Sequence, residues 1–193
     1  AADRDMRAGD WNQQRAGFDL NGKRLGIVGM GGIGAQVARL AKAFGMAVTA
    51  WTAHPTPERA GALGVSFTDL ETLFATSDVV SLNLALMPET EGIITAGLLA
   101  RLRDGALLVN TARGGLVAEY ALMAELASGR ISAALDVYHT EPLPADHPIR
   151  SLPNVVLAAH TGYNTPEALG EIYRLAVEAV EAYFAGRPIN VVN

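Results

Sequence analysis

The chain has 193 residues, no cysteine and a formal net charge of −5. That length suits one well-buried domain with an appendage and is tight for two full domains. The lack of cysteine excludes disulfides, thiolate metal sites and cysteine nucleophiles, and without any run of five like charges nothing favours nucleic acid or an anionic membrane. Half of the residues are hydrophobic, with abundant glycine and alanine, which fits tightly packed α/β layers rather than a disordered tail. No apolar stretch reaches the length of a membrane-crossing helix and no signal-peptide pattern stands at the start, so a soluble, cytoplasmic protein is expected.

Residues 1–14 form a polar, helix-like segment with little to pack on. Arg24–Val28 is a short apolar run that ends at a glycine cluster. Ile33, Val37, Leu40, Ala41 and Phe44 then recur at helical spacing, and Gly45 stops the helix. Ala47–Trp51 reads as a second strand, which completes a β-α-β unit. Thr68 or Asp69 caps a short helix before the strand Val79–Leu82, and Thr95 caps a helix over 96–102. Residues 106–109 form a buried strand, 119–128 a helix, 131–135 a strand and Val155–Leu157 the last strand. Apolar runs without strict alternation, separated by helices, predict a Rossmann-type, doubly wound α/β fold with a parallel sheet and helices on both faces.

The Pro-rich stretch 141–153 reads as an ordered loop. Beyond it, Thr165-Pro166-Glu167 supplies a capping hydroxyl, a proline in the first turn and an acid near the positive helix end. Leu169, Ile172, Tyr173, Ala176, Val177, Val180 and Phe184 line one apolar face of that helix, closed by Gly186 and Pro188. This face either covers the sheet or crosses to another domain. Residues 188–192 read as a strand-like end.

Gly29, Gly31 and Gly34 fit G-x-G-x-x-G between the first strand and its helix. The first glycine permits the tight turn, the second lets backbone approach a pyrophosphate and the third allows close helix–strand packing. The helix start offers free N–H groups to the anion. Placed at the start of a β-α-β unit, this pattern points to a nicotinamide dinucleotide. Eighteen residues beyond Gly34, where an acid would grip the ribose hydroxyls, stands Thr52. A threonine does not repel a 2′-phosphate, yet no Arg or Lys stands beside it; His54 is ambiguous and Arg59 falls in the following helix. NAD and NADP both stay open.

From Asn21 onward the chain resembles the D-isomer-specific 2-hydroxyacid dehydrogenases, a family that includes phosphoglycerate dehydrogenase and glyoxylate/hydroxypyruvate reductase. The resemblance rests on Asn21-Gly22-Lys23-Arg24-Leu25-Gly26-Ile27 before the glycine turn and on Asp78-Val79-Val80-Ser81-Leu82. It continues through Val109-Asn110-Thr111-Ala112-Arg113-Gly114-Gly115-Leu116-Val117, Ala134-Leu135-Asp136-Val137-Tyr138 and Glu141-Pro142-Leu143-Pro144. Leu152-Pro153-Asn154-Val155, running on to His160, closes the set. Ala159 precedes His160 where relatives often have proline, and Asn83 and Ala85 stand where His and Pro are frequent; no reacting group is removed.

The resemblance implies that Arg113 binds the substrate carboxylate and carbonyl, that His160 is the acid/base and that Glu141 pairs with it. It implies cofactor contacts along the glycine turn at Gly29, Gly31, Gly32, Ile33 and Gly34, and at Thr52 and Leu84. Further contacts are implied at Thr111, Ala112, Arg113, Asp136, His160 and Gly162, with Asp136 on the nicotinamide carboxamide. The chemistry is coherent. An Arg at the carboxyl end of a parallel strand can hold a carboxylate through two parallel bonds. Imidazole, titrating near neutrality, suits the proton transfer that accompanies carbonyl reduction, and an adjacent carboxylate favours imidazolium and fixes the ring. His54, His139 and His147 match no acid/base position and read as surface or loop residues. No spacing of His, Asp and Glu suggests a metal site.

By the same resemblance, residues 1–20 are expected to be the remnant of an interdomain helix and linker, 21–165 the cofactor domain and 166–193 part of a substrate domain. The chain is then expected to be a piece of a longer dehydrogenase, acting on a small 2-hydroxy or 2-keto acid, that pairs as a homodimer through the cofactor domain. An NAD(H)-sensing corepressor-like protein, or a formate- or phosphonate-type dehydrogenase of the same fold, is the alternative.

Overall fold

A computed structural model describes residues 2–11 and 17–191. Seven strands build one sheet: β1 (Arg24–Val28), β2 (Ala47–Trp51), β3 (Ser66–Phe67), β4 (Val79–Leu82), β5 (Leu107–Asn110), β6 (Ser132–Leu135) and β7 (Val155–Leu157). Their order is β3-β2-β1-β4-β5-β6-β7, and each neighbouring pair runs parallel. The chain winds outward from β1 in one direction, then returns to β4 and winds in the other. A crevice therefore opens between the carboxyl ends of β1 and β4, where sheets of this topology bind ligands. This is the doubly wound fold that the alternating runs predict.

Side-chain alternation splits the core between the two faces of the sheet. Val80, Leu82 and Leu108 enter one cluster with Leu73, Phe74, Ile94, Leu99 and Leu126. Leu25, Ile27, Ala50 and Val79 enter the other with Ala38 and Ala41. Gly26 sits inside β1 because a Cβ there would collide with the Leu73 and Ser77 side chains. Those side chains belong to α4 (Leu70–Thr76) and its cap, so the glycine lets that helix lie directly on the strand.

The helices start where local chemistry predicts. Asp69 caps α4 by accepting from Thr72 N at 2.7 Å, and Thr95 caps α5 (Ala96–Arg101) by accepting from Leu98 N at 3.3 Å. Thr56 caps α3 (Pro57–Leu63), and α6 (Glu119–Ala127) follows a single 3-10 turn at Gly114–Leu116. The two-residue β3 is too short to leave a sequence pattern. Within 141–153, Arg150 donates to the carbonyls of Pro144 and Leu143 at 2.8 and 2.7 Å, which orders the proline-rich stretch.

Three expectations change. In α2 (Gly32–Ala43) the buried residues are Gly34, Ala38 and Ala41, whereas Ile33, Leu40 and Phe44 are exposed. The helix lies too close to the sheet for large side chains, so small residues make the contact. The N-terminal helix α1 covers Ala2–Ala8 only, and residues 12–14 lie outside the described residues. Residues 188–191 form no strand, Asn190 has φ 54°, and Val192 lies outside the described residues. At the other end of that segment, α7 (Pro166–Phe184) is capped by Thr165 as expected, yet none of its residues is buried. Its apolar face does not cover the sheet. Among the described residues no helix is long and apolar enough to cross a membrane.

Candidate active site

The glycine turn has the local geometry of an anion cradle. Gly29 adopts φ +100°, and a Cβ there would lie 2.6 Å from the Asn83 carbonyl oxygen, so the turn after β1 is pressed against the end of β4. A Cβ on Gly34 would collide with the Gly29 carbonyl oxygen, which is why α2 can start directly above the strand. At Gly31 and Gly32 a Cβ would meet no protein atom within 4 Å. Gly31 is the N-cap of α2, with no capping side chain and no acid in the first turn. The first N–H groups of a twelve-residue helix therefore face the crevice beside an open approach. These residues fit the pyrophosphate of a dinucleotide. Leu84 follows β4 on the other wall and packs partly into the core.

At the end of β2 the fold changes the picture from sequence adjacency. Thr52 has no basic neighbour in the chain, but α3 brings Arg59 back to it. Arg59 Nη1 donates to Thr52 Oγ1 at 3.4 Å and Nη2 donates to the Met30 carbonyl at 3.0 Å.

Across the sheet, β5 and β6 end in the loops that carry the polar residues. Buried Asn110, the last residue of β5, donates from Nδ2 to the Arg113 carbonyl at 2.9 Å and accepts from Ala112 N at 3.0 Å. This side-chain turn fixes Thr111, Ala112 and Arg113 at the carboxyl edge. Gly114 then packs directly on the Tyr138 and His139 backbone, where a Cβ could not fit. The Arg113 guanidinium is exposed, and its Nη1 donates to the Ala112 carbonyl at 2.6 Å.

His160 and Glu141 meet. Nδ1 of His160 lies 2.7 Å from Oε2 of Glu141, and Oε1 of the same carboxylate accepts from Tyr138 N at 2.9 Å. These hydrogen bonds, His160 first and Tyr138 second, hold the Glu141 carboxyl below its ordinary value, and the charge of Arg113 adds to the effect. An ionised carboxylate can only accept, so the proton on Nδ1 lies toward Glu141 and Nε2 is left for chemistry. His160 takes φ 54°, a left-handed backbone that a non-glycine residue adopts at a cost of roughly 1–2 kcal/mol.

The following turn is held by Asp136. Its Oδ1 accepts from Thr161 N and its Oδ2 from Gly162 N, each at 2.9 Å. The carboxylate is 7% exposed and both of its oxygens are engaged with backbone. Tyr138 adds a second tie: its hydroxyl donates to the Ala158 carbonyl at 2.7 Å, two residues before His160. Sequence reading had singled out neither Asn110 nor Tyr138 as site residues. An Asn at a buried strand end is the available signal for the first; nothing marks the second.

The remaining histidines have structural surroundings. His139 Nε2 lies 2.8 Å from the Val117 carbonyl, and His147 Nδ1 accepts from Ile149 N at 3.2 Å. His54 is exposed in the loop after β2. An open cleft of ≈ 560 Å³ lies against both members of the pair, lined by Glu141 and His160 together with Tyr138, Leu143, Arg150 and Leu157. Neither Arg113 nor the glycine turn lines it, so it is not the crevice that joins the two halves of the site.

Comparison with known proteins agrees with this fold. Residues 1–162 match the model of the D-isomer specific 2-hydroxyacid dehydrogenase NAD binding domain. The chain is 38% identical to D-3-phosphoglycerate dehydrogenase of Archaeoglobus fulgidus over 195 residues, covering all of this chain and 37% of that protein. It is 41% identical to glyoxylate reductase of Korarchaeum cryptofilum, covering all of this chain and 60% of the other. An acyclic imino acid reductase solved with NADPH and D-Arg superposes with a TM-score of 0.90 at 32% identity, over all of this chain and 61% of the other. The chain thus spans between about a third and three fifths of the relatives it matches. It belongs to the D-isomer-specific 2-hydroxyacid dehydrogenases and carries their NAD-binding domain.

Proposed function

We propose that this chain supplies the cofactor half and the proton-transfer residues of an oxidoreductase that interconverts a 2-keto acid and a D-2-hydroxy acid. The observation that carries the reading is the His160–Glu141 pair on the carboxyl edge of the sheet that also presents Arg113 and the glycine turn. The bound NAD or NADP supplies or accepts the hydride. The rest is the work of side chains. Arg113 binds the substrate carboxylate and carbonyl oxygen through charge-assisted bonds and stabilises charge developing on that oxygen. His160 Nε2 delivers the proton to the oxygen in reduction and takes it back in oxidation. Glu141 fixes the ring by holding Nδ1.

Gly29, Gly31, Gly32, Ile33 and Gly34 hold the pyrophosphate in this reading, and Thr52 lies at the adenosine ribose. Leu84, Thr111, Ala112 and Gly162 border the cofactor further along. Asp136 is assigned to the nicotinamide carboxamide, but its two backbone bonds make anchoring of the 161–162 turn its first task. A division into 1–20, 21–165 and 166–193 belongs to the same reading; the unburied α7 supports treating its face as part of another unit. So do a homodimer through the cofactor domain and a cytoplasmic setting.

The decisive assay is oxidation of NADH and NADPH by the full-length protein over a panel of 2-keto acids. Turnover with at least one acid, abolished in His160→Ala and Arg113→Ala, is the expected result. No turnover across the panel would overturn the reading.

A further inference from the structure

The end of β2 holds a cation that no carboxylate among the described residues pairs with. Arg59 is half-buried, and its guanidinium leans back over the strand end instead of out to solvent. It donates to Thr52 Oγ1, to the carbonyl of His54 and to the carbonyl of Met30 in the glycine turn. Its carbon centre lies 5.9 Å above the Phe67 ring at the end of β3. All three acceptors are neutral, and among the described residues no carboxylate pairs with it. The acids nearest along the chain serve their own helices: Glu58 is held by its own backbone N–H and by Thr56, and Asp69 by Thr72.

Position gives this cation its meaning. Met30 belongs to the pyrophosphate turn and Thr52 follows β2, so Arg59 bridges the two walls between which the adenosine ribose of a dinucleotide sits. A ribose 2′-hydroxyl offers a proton and calls for a carboxylate acceptor there. This site presents the opposite: guanidinium N–H groups, and a Thr52 hydroxyl that accepts from Arg59 and so keeps its own proton to donate. Three of the five guanidinium N–H groups are used, which leaves two for an incoming oxygen. A phosphate monoester brings nearly two negative charges and three acceptor oxygens. Resting on the dehydrogenase reading above, we propose that Thr52 and Arg59 form a 2′-phosphate subsite, and that this chain selects NADP(H) over NAD(H).

The test is a titration of the full-length chain with NADPH and with NADH, followed by nicotinamide fluorescence. Adenosine 2′,5′-bisphosphate and 5′-AMP serve as competitors, to separate the 2′-phosphate from the rest of the nucleotide. NADPH should bind at least about tenfold tighter than NADH, with the bisphosphate the stronger competitor by a similar factor. Arg59→Ala should remove that ratio while NADH affinity stays within about twofold. Because Arg59 also ties Met30 to the loop after β2, a second variant guards against mere loss of fold. Thr52→Asp should cost NADPH its affinity and leave NADH bound as well or better. Equal affinities in the unaltered chain, or a parallel fall of both ligands in either variant, would overturn the subsite and leave the dehydrogenase reading intact. Binding of neither dinucleotide would overturn both.

Discussion

Asp136 holds Gly162 by a 2.9 Å hydrogen bond from the glycine N–H, while its other oxygen holds Thr161 in the same way. These two bonds fix the backbone immediately after His160, whose left-handed φ of 54° would otherwise relax. A buried carboxylate thus sets the direction in which the imidazole leaves the sheet. Asp136→Ala leaves two N–H groups without their acceptor and should destabilise the fold by about 1–3 kcal/mol. Activity should fall further than stability does, because the His160 ring loses its register with Glu141. Asp136→Asn keeps one acceptor oxygen and should be intermediate. Thermal unfolding and kcat/KM measured on the same variants check the order.

The Glu141 pair predicts a pH signature. His160 and the Tyr138 N–H hold the Glu141 carboxyl below its ordinary value of 4.5, so the folded state binds its proton more weakly than the unfolded chain does. The stabilisation is complete above the ordinary carboxylate range and is lost as pH falls through the lowered folded value. The carboxylate is about one third exposed, so the stability change itself should be small. In Glu141→Gln the His160 ring loses the carboxylate that holds Nδ1, and kcat for keto-acid reduction should fall while the fold stays intact. An unchanged kcat would remove Glu141 from the proposed proton-transfer machinery.

Much of this was legible in local sequence, for a physical reason. Gly29, Gly31 and Gly34 act through their own backbone, and Thr95 and Thr165 cap the helices that follow them, so neighbours along the chain decide both. What was hidden depends on distance. Arg59 reaches Met30 across 29 positions, and Asn154 ties the β6–β7 edge to Leu126 across 28. The hydrophobic spacing of α2 marked a helix correctly and included Ala41 and Val37 of its inner face, but it also took in the exposed Ile33, Leu40 and Phe44 and missed Gly34 and Ala38, because contact with the sheet selects for small residues. In α7 the apolar face was plain, yet pattern alone does not say what it packs against.

Gly114 gives a third prediction. A Cβ there would collide with the Tyr138 backbone, which cannot rotate away as a side chain would. Gly114→Ala must therefore push the Arg113 loop off the segment that carries Glu141. We expect a loss of about 1–3 kcal/mol or more in stability, and a rise in KM for the keto acid from displacement of Arg113. Gly115→Ala is the control, since its Cβ would meet only the flexible Leu86 side chain at 3.0 Å. Denaturant midpoints of the two variants should separate clearly.

The tyrosine hydroxyl at 138 makes a smaller, cleaner test. Tyr138→Phe removes the donor to the Ala158 carbonyl but keeps the ring and the N–H that holds Glu141. Its cost should be about 1 kcal/mol in stability. A positioning role requires kcat to fall with little change in KM, because Arg113 is the residue proposed to bind the substrate. A fall in stability alone, with kcat intact, would reduce the hydroxyl to a structural tie.

Gly31 and Gly34 separate binding from folding. At Gly34 an added methyl meets the Gly29 carbonyl, so Gly34→Ala should disturb the turn and lower stability by about 1–3 kcal/mol. At Gly31 it meets no protein atom, and the residue's φ of −80° is open to any side chain. Gly31→Ala should therefore unfold within about 1 kcal/mol of the unaltered chain. It should nonetheless bind the dinucleotide about tenfold or more weakly, because the methyl occupies the approach to the α2 N–H groups. If Gly31→Ala binds normally, the pyrophosphate does not sit over this turn, and the cofactor reading loses its anchor. Such a variant, intact in fold and impaired only in binding, is what a glycine retained for a ligand rather than for the backbone predicts.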